Sequence, residues 1–210
     1  MPFYREKKLL FIHIPKTGGT LIENAIKSTC KQELYSGYTN NILEYPYNQK
    51  SLQHQFYSTL YRYRHKLRVD FNNIKIFSVV RNPYDKVISD LFWFSKKIKV
   101  KRIQDFSTAE EVFDILKNNY FHRDDLDNHN KPQYQFVTDE KGGLIPNIKI
   151  YKCEELNKLN GEINKFIGMD IDIKKNDVNK DYSKYLNKDS IQLINKYYKK
   201  DFELFNYAYR

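Results

Sequence analysis

The sequence predicts an α/β fold, a P-loop-like and mostly parallel sheet flanked by helices. Three observations predict it. Short apolar runs rich in β-branched and aromatic residues recur at 8–14 (KLLFIHI), 74–80 (IKIFSVV) and 148–151. Segments with helical spacing lie between them, the alternation expected of parallel strands joined by helical crossovers. Two of the runs also stop abruptly, at Pro15-Lys16-Thr17-Gly18-Gly19-Thr20 and at Arg81-Asn82-Pro83, and each break leads straight into a helical pattern. Ligands in such sheets bind at the carboxyl ends of the strands, so both breaks mark the expected site.

The elements follow in order. After the first strand, 21–29 places Leu21, Ile22, Ala25 and Ile26 on one helical face, with Thr20 as N-cap. Residues 31–50 are polar and rich in Tyr and Asn, the pattern of a surface loop. A helix is expected over 51–67, carrying Arg62, Arg64 and Lys66. Residues 74–80 form the strongest strand, and 84–94 continue as an amphipathic helix with Val87, Ile88, Leu91 and Phe92 turned inward. The neighbouring aromatics Trp93 and Phe94 read as core in the same way. A capping pattern, Ser107 or Thr108 to Glu110 or Glu111, opens a helix over 108–118. A polar loop at 124–131 ends at Pro132, and the third strand leads into a helix over about 154–167 that Gly168 closes. A loop spans about 170–186, and 189–198 make a last helix. At 210 residues, with no internal repeat and no long linker, 1–210 is expected to be a single domain.

Composition narrows the function. The formal charge is +10, from 36 Lys+Arg against 26 Asp+Glu, which predicts an anionic partner. The whole excess lies in 1–105, with 19 basic and 8 acidic residues; 106–210 holds 17 and 18. Cys30 and Cys153 form no paired motif, which excludes a disulfide framework or a Cys-rich zinc site. No apolar run reaches the roughly 18–20 residues that cross a bilayer, and 1–8 resemble no signal peptide. A soluble cytoplasmic protein is therefore expected.

Two constellations carry chemistry. Backbone N–H groups of a Gly-rich turn at a helix N-terminus cradle an anion. Lys16 adds a full charge there, and Thr17 and Thr20 add hydroxyls. The lysine precedes the glycines, which is not the order of a GxxxxGK[ST] loop. At the second strand exit, the fork of Arg81 suits phosphate and Ser89 adds a hydroxyl from the following helix. An Arg81–Asp85 pair that merely stiffens the turn is the plainer alternative.

These residues resemble a known family. FIHIPKTGGTLIENAI (11–26) is similar to the 5′-phosphosulfate loop of sulfotransferases that use 3′-phosphoadenosine 5′-phosphosulfate (PAPS). FSVVRNPYDKVISDLFWF (77–94) is similar to their 3′-phosphate-binding strand and helix. The branch it resembles most contains heparan sulfate 2-O-sulfotransferase and other carbohydrate sulfotransferases. Its His-x-x-Pro-Gln segment is matched by His129 to Gln133, its Tyr-x-x-x-(Asp/Glu)-Leu strand exit by Tyr151 to Leu156, and its closing helix by 197–207.

The resemblance implies transfer of a sulfuryl group from PAPS to a hydroxyl, that of a sugar or polysaccharide, without a metal. Lys16, Thr17, Gly18, Gly19 and Thr20 would hold the 5′-phosphosulfate, and Arg81 and Ser89 the 3′-phosphate. Tyr182 and Ser183, in a segment (179–185) similar to the family's late loop, would add contacts to the nucleotide. Lys16 would also stabilise charge on the departing oxygen. His54 falls where that branch places a catalytic histidine and would be the base. His13 would orient the loop, His129 and Gln133 would line the acceptor cleft, and Glu23 is the carboxylate alternative to His54.

Other readings remain open beside it. A P-loop phosphotransferase would need Mg²⁺ ligands and a Walker lysine. A basic nucleic-acid binder would need one of the known recognition signatures, and none is found. Nucleic acid and membrane are therefore not expected partners. The basic run Arg62, Arg64, Lys66 and Arg68 fits an acidic sugar polymer or a solvated helix face.

Overall fold

The computed structural model describes residues 2–31, 43–94, 108–173 and 181–210, with the backbone alone for Phe94. Most of the loop expected over 31–50, the alternative cap Ser107 and Asn179 lie outside the described residues.

Four strands form one sheet in the order of the chain: β1 (Phe3–Tyr4), β2 (Leu9–Ile12), β3 (Lys75–Val80) and β4 (Lys149–Lys152). β2, β3 and β4 run parallel, with Leu9 opposite Lys75 and Phe77 opposite Lys149. β1, which the sequence reading did not anticipate, adds two antiparallel residues at the edge, Phe3 opposite Leu10. The mostly parallel sheet flanked by helices is the predicted architecture.

Strand alternation builds a core on each face. Leu9, Phe11, Phe77, Val79 and Tyr151 pack against Ile22 and Ile26 of α1 (Gly19–Lys27) and Leu156, Ile163 and Ile167 of α6 (Leu156–Ile167). Leu10, Ile12, Ile76 and Val80 point the other way, onto Leu60 of α2 (Tyr57–Arg62), Leu67 of α3 (Arg64–Leu67), Phe136 and Phe205. A third core joins α4 (Pro83–Phe94), α5 (Ala109–Ile115), α7 (Lys188–Tyr197) and α8 (Lys199–Phe205) through Val87, Ile88, Leu91, Val112, Ile194 and Phe202.

Local chemistry sets the helix ends. Pro83 opens α4, where its missing N–H costs nothing, and Asn82 Oδ1 accepts from the Tyr84 N–H at 3.0 Å. Thr108 caps α5 by accepting from Glu111 N, and Gly168 ends α6 in the left-handed region. Asn187 and Ser190 cap α7 reciprocally.

Two local expectations are corrected. Gly18, not Thr20, occupies the N-cap of α1, and Thr20 lies within the first turn. The helix expected over 51–67 is broken into a 3₁₀ turn (Leu52–His54), extended Gln55 and Phe56, then α2 and α3. That break turns His54 away from a helical face and towards the strand ends.

Candidate active site

The carboxyl ends of β2 and β3 open into a cavity of about 470 Å³. Lys16, Gly18, Gly19 and Thr20 line it from the first turn, and Arg81 and Ser89 from the second strand exit. His54 and His129 line it from the segments that cross above. The two constellations read from sequence therefore share one chamber.

The first turn is held in an unusual path. Lys16 has φ 66° and Gly18 φ 90°, both left-handed, and the fully buried Thr17 braces the bend by donating from Oγ1 to the Ile14 carbonyl at 2.9 Å. Thr17 thus serves the turn's own backbone and does not line the cavity. A Cβ on Gly19 would lie 2.2 Å from the His13 ring, so only glycine lets helix and imidazole approach this closely. His13 is buried and bonded to Glu23, and Gln53 Nε2 reaches both, at 2.8 Å from His13 Nδ1 and 2.7 Å from Glu23 Oε1. Burial pushes His13 down to about 4 despite the carboxylate beside it, which leaves the imidazole neutral. His13, expected to orient the loop, packs against Gly19 at the chamber wall, whereas Glu23, the carboxylate alternative to His54, does not line the chamber and is engaged by His13 and Gln53.

The two strand exits are tied together. Arg81 Nη1 donates to the Lys16 carbonyl at 3.2 Å, and its guanidinium carbon lies 5.7 Å from the centre of the Tyr182 ring. The Arg81 backbone is clamped by Gln133, whose Oε1 accepts from Arg81 N and whose Nε2 donates to Arg81 O, both at 2.8 Å. Asp201, fully buried, accepts in turn from the N–H groups of Gln133 and Tyr134. Gln133 has no exposed surface and does not line the chamber; it positions Arg81, where acceptor contact had been expected. Burial raises Asp201 to about 6 against those bonds.

Each histidine of the chamber has a carboxylate partner. Asp127 Oδ2 lies 2.8 Å from His54 Nδ1 and also accepts from Ser51 Oγ, while Oδ1 accepts from Ser51 N. Burial works to raise Asp127, but the bonds from His54 and Ser51 outweigh it and hold the carboxyl at about 2. With Asp127 ionised, the proton on His54 belongs on Nδ1, which leaves Nε2 to accept. His129 Nδ1 lies 2.7 Å from Asp90 Oδ1, and Tyr120 donates to Asp90 Oδ2 at 2.5 Å. Burial pushes His129 below its ordinary value against the pull of Asp90. The His54 ring meets those of His13 and His129 edge to face, with centroids 5.1 and 4.9 Å away. His54, Asp127 and His129 each offer a ligand atom within 4.8 Å of the others, a set able to take a divalent ion.

Trp93 corrects the expectation that it belongs to the core. It is 60% exposed, lines the chamber, and stacks on His129 with centroids 5.0 Å apart. Lys16 Nζ sits 5.6 Å from its ring centre. Beside the chamber, Phe92, Tyr182 and Tyr185 wall a second hollow of about 420 Å³. Ser183 is exposed and lines neither space.

The profile of the sulfotransferase family matches residues 3–208. The chain belongs to the sulfotransferase family. No curated protein and no solved structure gives a significant match. As a sulfotransferase, it transfers a sulfuryl group from a nucleotide sulfate donor to a hydroxyl, and PAPS is the donor the family generally uses. No helix among the described residues is long and apolar enough to cross a membrane.

Sequence reasoning missed Asp127, Asp90, Gln53 and Trp93. One signal was available: Trp93 lies four residues after Ser89, on the same helical face as a residue already assigned to the site.

Proposed function

We propose that this sulfotransferase uses PAPS to sulfate a hydroxyl of a carbohydrate, with His54 as base and without a metal. The observation that carries the reading is the meeting of the Lys16–Gly19 turn, Arg81 and the His54–Asp127 pair in one chamber.

The residues present fit a doubly phosphorylated nucleotide. The left-handed Gly18 and the close-packed Gly19 bring the first N–H groups of α1 to the chamber wall, beside Lys16 and Thr20. Arg81 and Ser89 line the same chamber and would hold the 3′-phosphate. The hollow walled by Phe92, Tyr182 and Tyr185 adjoins Arg81 through Tyr182 and suits the nucleoside end, which retains the role expected for Tyr182. When bound, PAPS supplies the sulfuryl group and a good phosphate leaving group.

The chain supplies position and charge. Lys16 neutralises charge on the departing oxygen. Asp127 holds His54 with Nε2 facing the chamber, where it takes the acceptor hydroxyl proton as the oxygen–sulfur bond forms. His129, stacked under Trp93, borders the space beside His54. The exposed indole beside hydrogen-bonding imidazoles supports a sugar acceptor, which offers both an apolar face and hydroxyls.

Calorimetric titration with the product nucleotide, 3′-phosphoadenosine 5′-phosphate (PAP), tests the donor. Micromolar binding in the presence of a chelator, lost in Lys16→Ala and Arg81→Ala, is expected. Tighter binding of ATP with Mg²⁺ overturns the reading. Transfer of labelled sulfate from PAPS to pooled neutral and acidic oligosaccharides, against phenolic and steroid hydroxyls, tests the acceptor class.

A further inference from the structure

The basic run 62–68 divides in the structure. Arg62 pairs with Glu140 at 2.8 Å and Lys66 with Glu44 at 2.7 Å, both on the exposed surface. Arg64 and Arg68 have no carboxylate partner among the described residues, and both line a separate hollow of about 400 Å³. His65 joins them at its edge, and Tyr61 and Phe71, in edge-to-face contact at 5.6 Å, form its aromatic wall. Arg64 Nη1 is braced on the Tyr61 carbonyl at 3.0 Å, with the guanidinium carbon 4.5 Å from the Tyr61 ring centre. The acidic group in the wall, Asp70, accepts from Asn72 N at 3.0 Å as the cap of a short turn. Two arginine charges thus face one carboxylate that is already engaged.

The hollow lies at the opposite end of the sheet from the active site. Its residues 68–72 lead into the first residue of β3, and the Arg68 carbonyl accepts from Arg5, which precedes β2. Arg81 follows the last residue of β3, so the six-residue strand, about 20 Å at ~3.3 Å per residue, separates the two.

We propose that this hollow binds a sulfated or carboxylated sugar unit of a long acidic glycan whose acceptor residue occupies the active site. Arginine forks match sulfate and carboxylate oxygens, and Tyr61, partly exposed with the Arg64 guanidinium lying over its ring, borders them. A nucleic acid would call for a continuous track of free cations, and here Arg62 and Lys66, which would extend one, are neutralised by glutamates. The choice of a glycan rests on the carbohydrate acceptor proposed above. Because the strand length separates the two sites, the hollow contributes only to ligands long enough to span it.

The test compares the full chain with an Arg64→Gln/Arg68→Gly double variant. Arg68 has φ 53°, which glycine adopts without strain, so the variant keeps the local backbone. Each protein is titrated by calorimetry with a sulfated octasaccharide, a neutral octasaccharide and an octanucleotide, and separately with PAP. Loss of about tenfold or more in affinity for the sulfated octasaccharide alone, with PAP affinity unchanged, is expected of removing two charged hydrogen-bond donors. Equal affinity of both proteins for the sulfated octasaccharide overturns the proposal, as does octanucleotide binding that is tighter and lost in parallel. A failure of PAP to bind either protein overturns the donor reading and leaves the octasaccharide comparison to decide this one.

Discussion

His54 Nδ1 and Asp127 Oδ2 stand 2.8 Å apart at the roof of the chamber, although 73 residues separate them in the chain. With Asp127 ionised, the bond calls for the proton on Nδ1 and leaves Nε2 as the acceptor. His54→Ala is expected to lower kcat for sulfuryl transfer by about 10²-fold or more, the usual contribution of a positioned base, with PAP affinity retained. Asp127→Asn leaves the imidazole but frees its tautomer, so kcat falls while the KM for donor stays within a few-fold. Steady-state kinetics beside PAP titrations checks both; turnover that survives His54→Ala moves the base elsewhere.

The same pair governs acid stability. The Asp127 carboxyl sits at about 2 in the fold, below the ordinary aspartate value of ~3.9. A depressed carboxyl stabilises the native state fully above the unfolded value and loses that contribution as pH falls through the folded one. Wild type should therefore lose on the order of 2 kcal/mol more than Asp127→Asn between pH 5 and pH 2. Urea unfolding at a series of pH values measures the difference. Parallel curves would mean that the pair is not formed in solution.

Gly19 is fixed by a neighbour rather than by its own backbone angle. An added Cβ meets the His13 ring at 2.2 Å, and His13 cannot retreat because Glu23 and Gln53 hold it. Gly19→Ala is expected to cost about 1–3 kcal/mol, the range for overpacking a filled site, and to abolish measurable PAP binding. Gly19→Ala combined with His13→Ala relieves the clash and should recover stability, which distinguishes crowding from a general loss of helix start.

Gln133 holds the backbone of Arg81, and through it would act on the proposed donor site. Both backbone hydrogen bonds of Arg81 close on one buried amide. Gln133→Ala leaves two part-buried polar groups unmade, at about 1–3 kcal/mol each, and loosens the guanidinium. PAP affinity should fall while the KM of a small acceptor at saturating donor stays constant. An increased acceptor KM at unchanged PAP affinity would instead return Gln133 to the acceptor cleft.

The parallel strands were legible because 9–12 and 76–80 are buried on both faces and carry a nearly continuous apolar signal, and the runs that hold them are each ended by turn chemistry. Lys16 and Arg81 were legible for the same reason, since a strand's carboxyl end fixes where its next residues point. The histidine partners were not. Asp127 and Asp90 reach His54 and His129 from 73 and 39 residues away, and nothing local marks such a pairing. The break at Gln55 and Phe56 carries no glycine or proline, so periodicity ran through it and gave one helix. Gln133 was seen in its motif, but whether an amide faces a cleft or a buried backbone is decided by Asp201 and the closing helix, not by the motif.

Trp93 is the sole tryptophan of the chain, so its fluorescence reports on the chamber without a label. Its ring lies against His129 on one contact and 5.6 Å from Lys16 Nζ on another. A cation near an exposed indole gains only about 0.5–1 kcal/mol, much less than a lysine gains from a phosphosulfate or phosphate oxygen. Lys16 should therefore leave the indole when the donor site fills. Titration with PAP is expected to give a saturable change in emission with the same midpoint as calorimetry. Lys16→Ala should start from the altered emission and respond weakly to PAP. Trp93→Phe should bind PAP with little loss yet raise the KM for the proposed sugar acceptor severalfold, because the indole lines the chamber beside His129. An emission that stays constant through saturation would show that Lys16 does not move, and would place the donor phosphates away from this turn.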